Sequence, residues 1–166
     1  MAGDAKQLIR VMYSGEGLAS DRESVLWLNV QEIPQAASEN ELQIAIRQRI
    51  KVFYRPQGLV EDPMKAAQAM QWRASGGLID VSNPGPYHVS MIKLEARKNG
   101  QVVFQEESRM LAPRQRIQLP LSSSAPDGPL EMSFISINDF GAQEPYHARV
   151  SSERLTQASK AEPRPD

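Results

Sequence analysis

The feature that most constrains this chain is an unbroken alternation over residues 41–56, ELQIAIRQRIKVFYRP. Leu42, Ile44 and Ile46 alternate with Gln43, Ala45 and Arg47. The period of two continues through Ile50, Val52 and Tyr54 on one side and Arg49, Lys51, Phe53 and Arg55 on the other. That spacing belongs to a strand with two unlike faces. Good strand formers fill it, and no Gly or Pro interrupts it before Pro56. At about 3.3 Å per residue it predicts a strand of roughly 45–50 Å, where five or six residues is usual. Such a strand overhangs a small sheet, and its first three aliphatics form a ridge its own domain need not use. On pattern alone, the commoner origin of such a run is the core strand of a β-sandwich.

Composition narrows the function classes. The 166 residues suffice for one large or two small domains. A formal net charge of −1 argues against nucleic acid or an anionic membrane as the main partner, because both demand a basic excess. With no cysteine, a disulfide framework, a thiolate zinc site and a cysteine nucleophile are all excluded. No apolar run approaches the roughly 18–20 residues of a membrane-spanning helix. The opening MAGDAKQ carries neither a hydrophobic core nor a cleavage motif of a secretory signal.

Taken in order, QLIRVMY (7–13) predicts a short strand and 14–21 a loop with two glycines. Residues 23–34 predict a second strand, apolar on both faces, joined to the long one by the connector PQAASEN in one antiparallel hairpin. Residues 57–71 form a linker, in which Asp62-Pro63 is a cap followed by a first-turn proline that starts a turn or two of helix. From residue 72 onward turn signals recur about every ten residues, as in a sandwich. Strands are predicted at 78–82, 87–96, 101–108, 115–121, 130–137 and 146–152, with Asn99-Gly100 the strongest hairpin signal. Residues 153–166, poor in apolar content, predict a disordered tail.

No active site emerges. His88 and His147 stand far apart without metal-spacing partners, and each reads as a strand histidine satisfied by its neighbours. No catalytic serine motif, phosphate loop or dinucleotide fingerprint is present, so no enzyme, metal or cofactor is expected.

The segments DRESVLWLNVQEIP (21–34), FYRP (53–56), NPGPYHVSMIKL (83–94) and SINDFG (136–141) together resemble, in order and register over residues 6–150, the PapD-like periplasmic pilus-assembly chaperones of the chaperone–usher pathway. The resemblance implies an all-β protein of immunoglobulin-like sandwiches: a partial N-terminal domain (1–56), a linker (57–71) and a complete C-terminal domain (72–152). Residues 6–13 look like a strand from the middle of the family's first domain. The family's signal peptide and about four strands would precede it, so Met1 is either an internal methionine taken as a start or the mark of a true truncation. The connector at 34–40 is of the short-looped kind, which in the family goes with rod-like pili.

The resemblance also assigns roles. Leu42, Ile44 and Ile46 match donor residues that fill the open core of a pilus subunit lacking its last strand. Burial of about 1.5–3 kcal/mol per side chain would add to the backbone pairing. Lys51, by itself an ordinary solvent-facing lysine, matches a cleft lysine that anchors the subunit's terminal carboxylate. The family's second cation, an early arginine, has no counterpart in these residues. Glu23, Arg55 and Asp139 match an interdomain charge network, although Asn138 and Gly141 equally mark a simple turn around Asp139. Gly85 and His88 depart from the family's more usual NPTPYYVT. The implied function is periplasmic chaperoning of pilus subunits and their delivery to an outer-membrane usher. The alternatives are a structural or adhesive surface module and a non-functional chaperone remnant.

Overall fold

Residues 8–33, 43–122 and 128–161 are described by a computed structural model of the chain. Strands β1 (Ser24–Gln31) and β2 (Arg47–Tyr54) form an antiparallel two-stranded sheet in which Trp27 faces Lys51 and Leu26 faces Val52. A bond from the Glu32 amide to the Ile46 carbonyl (3.0 Å) adds one rung. Residues 43–46 run on outside the ladder. The expected strand over 41–56 is therefore only eight residues long, about 26 Å. Its partner strand ends at Gln31, and alternation without a neighbouring edge makes no ladder. For the same reason the strand predicted at 7–13 is absent: the described residues 8–13 join no sheet.

The linker behaves as its caps dictate. Asp62 accepts a hydrogen bond from the Met64 amide (2.9 Å), Pro63 opens a single 3-10 turn (Pro63–Lys65), and a four-residue helix α1 (Ala66–Ala69) follows.

Beyond it, two sheets pack face to face. β3 (Gln71–Ser75), β4 (Leu78–Ser82) and β7 (Arg116–Pro120) belong to one. β5 (Val89–Lys98), β6 (Gln101–Leu111), β8 (Leu130–Ile137) and β9 (Gln143–Val150) belong to the other. All pairings are antiparallel. Asn99 (φ 48°) and Gly100 (φ 80°) turn β5 into β6 as a two-residue loop, the positive φ at both positions being what an Asn-Gly pair tolerates. The inner faces bury Trp72, Ile79, Met91, Leu94, Leu111, Met132 and Phe134. Trp72, Phe134 and Tyr146 stack in a row at centroid distances of 5.3 Å.

The tail predicted to be disordered from 153 onward is part of this sandwich as far as residue 160. β10 (Thr156–Gln157) pairs with β3 and β11 (Ser159–Lys160) with β9, so the chain crosses from one sheet to the other at the buried Ala158. One small apolar residue between two polar pairs leaves no periodic signal.

Candidate functional site

The site forms where the hairpin meets the sandwich. Glu23 stands immediately before β1, and its amide donates to the carbonyl of Pro86 (2.8 Å). Pro86 is held in turn by Asn83. That buried side chain donates to the carbonyls of Tyr87 (2.7 Å) and Ala112 (3.1 Å) and accepts from the Gly85 amide (3.1 Å). Asparagine suits the position because its amide satisfies donors and acceptors of the Pro-rich corner together. Tyr87 donates its hydroxyl to the carbonyl of Glu61 (2.7 Å), tying the corner to the linker.

The Glu23 carboxylate, with its side chain only 1% exposed, receives three donors. The backbone amide of His88 (2.9 Å) and the imidazole Nδ1 of His88 (2.8 Å) reach Oε1, and Arg55 Nε reaches Oε2 at 2.5 Å. Arg55 follows β2 directly and turns the other side of its planar fork to Asp139, through Nη2–Oδ1 at 2.7 Å and a bond from Nη1 to Oδ2. Its guanidinium also lies 5.0 Å from the Tyr87 ring. Asp139 is presented by the turn between β8 and β9, where Asn138 Oδ1 accepts from the amides of Phe140 (3.0 Å) and Ala142 (2.9 Å) and Gly141 takes a φ of 77°. Asn138 and Gly141 do make a turn, and that turn is the mount for Asp139. Glu23, Arg55 and Asp139, far apart in sequence, are brought together across the junction.

The electrostatics follow from these bonds. Burial pushes the Glu23 carboxyl up, but the hydrogen bonds from His88 and Arg55 outweigh it and hold the group below the usual carboxylate range. The Arg55 bond likewise holds Asp139 low, and Asp139 and Glu23 together raise the already basic Arg55 further. Burial raises the Tyr87 phenol, which stays neutral. A second, more exposed pair crosses nearby, Arg114 Nη1 to Asp21 Oδ2 at 2.6 Å. Among the described residues no group of three His, Asp or Glu side chains is placed to hold a metal ion.

The strand-borne candidates lie alongside. Ile44 and Ile46 are exposed, and Leu42 lies outside the described residues. The cationic side of β2 carries Arg47, Arg49 and Lys51, none of which has an ion-pair partner among the described residues. The Arg49 guanidinium covers the Trp27 ring at 3.9 Å, and Lys51 Nζ lies 5.5 Å from the same ring. Lys51 Nζ also reaches Met110 Sδ on the sandwich at 3.7 Å, so Lys51 sits at the mouth of the junction. Sequence reasoning missed His88 and Asn83 as members of the site. The departure of His88 from the NPTPYYVT pattern was the available signal, and nothing in its spacing tied it to Glu23.

An antiparallel hairpin bolted by ionic contacts to an immunoglobulin-like sandwich, with the outer edges of both its strands unpaired among the described residues, defines a two-unit immunoglobulin-like chaperone fold. The family described as "Pili and flagellar-assembly chaperone, PapD N-terminal domain" matches residues 1–60, and "Pili assembly chaperone PapD, C-terminal domain" matches residues 65–148. The chain belongs to this family of PapD-like fimbrial chaperones, which are not enzymes. It is 39% identical over 154 residues to the chaperone protein FimB/FhaD of Bordetella pertussis, covering 87% of this chain and 62% of that protein. It is 35% identical over 161 residues to the probable fimbrial chaperone YadV of Escherichia coli (strain K12), covering 89% of this chain and 65% of that one. The crystal structure of the YadV chaperone superposes with a TM-score of 0.69 at 35% identity, over 82% of this chain and 67% of the other. The chain thus spans a little under two thirds of the length of these curated relatives.

Proposed function

We propose that this protein is a periplasmic chaperone that lends the edge of β2 and the residues before it to a pilus subunit, and that an outer-membrane usher receives the loaded subunit. The observation that carries this reading is the edge of β2 that no strand among the described residues pairs, with Ile44 and Ile46 exposed ahead of it and Lys51 at the junction. An unpaired strand edge offers a row of amides and carbonyls to any partner missing a strand. Leu42, Ile44 and Ile46 supply the apolar side chains that would enter such a partner's core. Lys51, unpaired by any carboxylate among the described residues, would hold a chain-terminal one by a charge-assisted bond that sets the register. Glu23, Arg55 and Asp139 would fix the angle of hairpin to sandwich and so the shape of the mouth around Lys51.

Co-purification of a fimbrial subunit with the full chain tests the reading. Wild type retains the subunit, while Ile44→Asp and Lys51→Ala lose most of it, the first by placing a charge in the partner's core and the second by removing the anchor. Undiminished capture by both variants would sink strand lending and leave a surface module of the same architecture.

A further inference from the structure

Among the described residues Trp27 is the one aromatic side chain whose ring meets two cations, Arg49 and Lys51. We infer that Trp27 is a positioning residue that makes those two cations a single carboxylate site: its ring holds the Arg49 fork in place, and Lys51 closes on the carboxylate that the fork binds. The ligand, a partner's chain-terminal carboxylate, is taken from the strand-lending reading, on which this inference therefore rests.

The β1–β2 register brings the three side chains together. Trp27 faces Lys51 and Asn29 faces Arg49, so Trp27, Arg49 and Lys51 all stand on one side of the ladder. The Arg49 guanidinium lies over the ring at 3.9 Å from its centroid, and Lys51 Nζ lies 5.5 Å from the same point. A cation on an aromatic face is held by the ring's quadrupole, which uses none of its N–H donors. The fork of Arg49 is thus fixed in place with every donor still to be satisfied, for it has no hydrogen-bond or ion-pair partner among the described residues. Lys51 has only Met110 Sδ at 3.7 Å, a weak acceptor.

Charge and entropy point to one anion between them. Two like charges drawn toward one ring repel each other and leave a surplus of positive potential there, which a carboxylate relieves. A lone exposed lysine holds a carboxylate weakly, because salt screens the pair and a long side chain must be ordered. Arg49 is already ordered by the ring, and a guanidinium can offer a carboxylate two parallel bonds. Residues two apart on a strand have their stems about 6.6 Å apart, so the flexible Lys51 stem reaches a carboxylate bound at Arg49 with no change in the backbone. The register of a lent strand would then be set by a fork with a lysine beside it rather than by Lys51 alone.

Acetate is the probe. It replaces chloride at constant ionic strength and neutral pH while NMR of the full chain follows the Arg49 Nε–H and Lys51 ε-methylene signals. In the wild-type protein both are expected to move with one shared midpoint. Arg49→Gln is expected to weaken the Lys51 response to acetate at least about fivefold, although Lys51 itself is untouched. Trp27→Leu keeps both cations but frees the fork, and is expected to weaken acetate about threefold or more, while Trp27→Phe, which keeps an aromatic face, restores most of the affinity. A Lys51 midpoint unmoved by Arg49→Gln, or a Trp27→Leu titration that tracks wild type, overturns the inference. So do separate Arg49 and Lys51 midpoints in the wild-type protein, a result that needs no variant to fold. Acetate carries no strand, so failure of this titration strikes the two-cation site alone, while strand lending stands or falls on subunit capture by Ile44→Asp.

Discussion

Trp72, Met91, Leu94 and Phe134 of the sandwich are at most 2% exposed, whereas Leu26, Trp27 and Ile50 of the hairpin are 41–47% exposed. Every buried hydrophobic residue among those described lies at Ala67 or beyond. Before it, the one buried residue is Glu23, a charged one. The sandwich is thus held by close-packed apolar contact between its sheets, which is non-directional and insensitive to pH. The hairpin is held by its own ladder and by a few directional bonds to the other unit. Its apolar side chains, with Tyr13 against Tyr54 at 4.4 Å, line an open groove of about 500 Å³ rather than a core. The contrast teaches that strands of similar composition take different roles according to whether a second layer faces them.

The sharpest way to break this contrast is to remove one large side chain from each unit. Phe134→Ala empties the centre of the stacked aromatic row and is expected to cost about 3–5 kcal/mol, read as a lower melting temperature of the sandwich. Trp27→Ala on the hairpin is expected to cost no more than about 0.5 kcal/mol, since its ring already meets solvent and the Arg49 guanidinium. Equal losses would mean that the hairpin has a packed core of its own in solution.

A smaller effect separates the junction from both units. Arg55→Ala strips the guanidinium from a carboxylate that stays buried, leaving Glu23 only the two bonds from His88. About 1–3 kcal/mol of docking is expected to be lost. Amide exchange in β1 and β2 should accelerate while the sandwich keeps its protection. Acceleration throughout the sandwich would show that the two units unfold as one.

Most of the sandwich strands were legible because buried and wet positions alternate along much of their length, and because Asn99-Gly100 and the proline-rich corners punctuate them, but β3 (Gln71–Ser75) was not read as a strand. Leu130–Ile137 coincides with its sequence reading for this reason. The hairpin was legible in kind but not in extent. Period two marks which side chains share a face, while ladder length depends on a partner edge that no residue in 41–46 encodes. Arg55 meeting Glu23 and Asp139 was reached only through resemblance, since contacts separated by 32 and 84 residues have no local signature. His88 escaped altogether: its partner is set by the Asn83 corner, which aims both the ring and the backbone amide at one oxygen.

Acid should act on the junction before it acts on the sandwich. Glu23 and Asp139 are held below their ordinary values, so their contribution to docking is complete above the usual carboxylate range, near pH 4. It is lost as pH falls from there through the lower folded values. Exchange protection in β1 and β2 is expected to vanish over that window while Trp72 fluorescence stays native. A single transition reported by both probes would erase the distinction between ionic and apolar cohesion.

The least effect is expected from the other ionic contact across the same junction. Arg114 reaches Asp21 at 2.6 Å, a distance as short as those of Arg55, but through a single carboxylate bond, and both side chains are about half exposed, at 54% and 50%. The Arg114 bond holds Asp21 below its usual value, yet water and salt already solvate both ions, and Arg22 stands by at 3.4 Å as a second cation. Arg114→Ala should therefore leave hairpin exchange unchanged at 0.15 M salt and accelerate it only slightly at low ionic strength. If its loss instead matched that of Arg55→Ala, burial of Glu23 would not be what distinguishes the two contacts. The hairpin would then be steered by surface charge, and raising the salt concentration alone should release it.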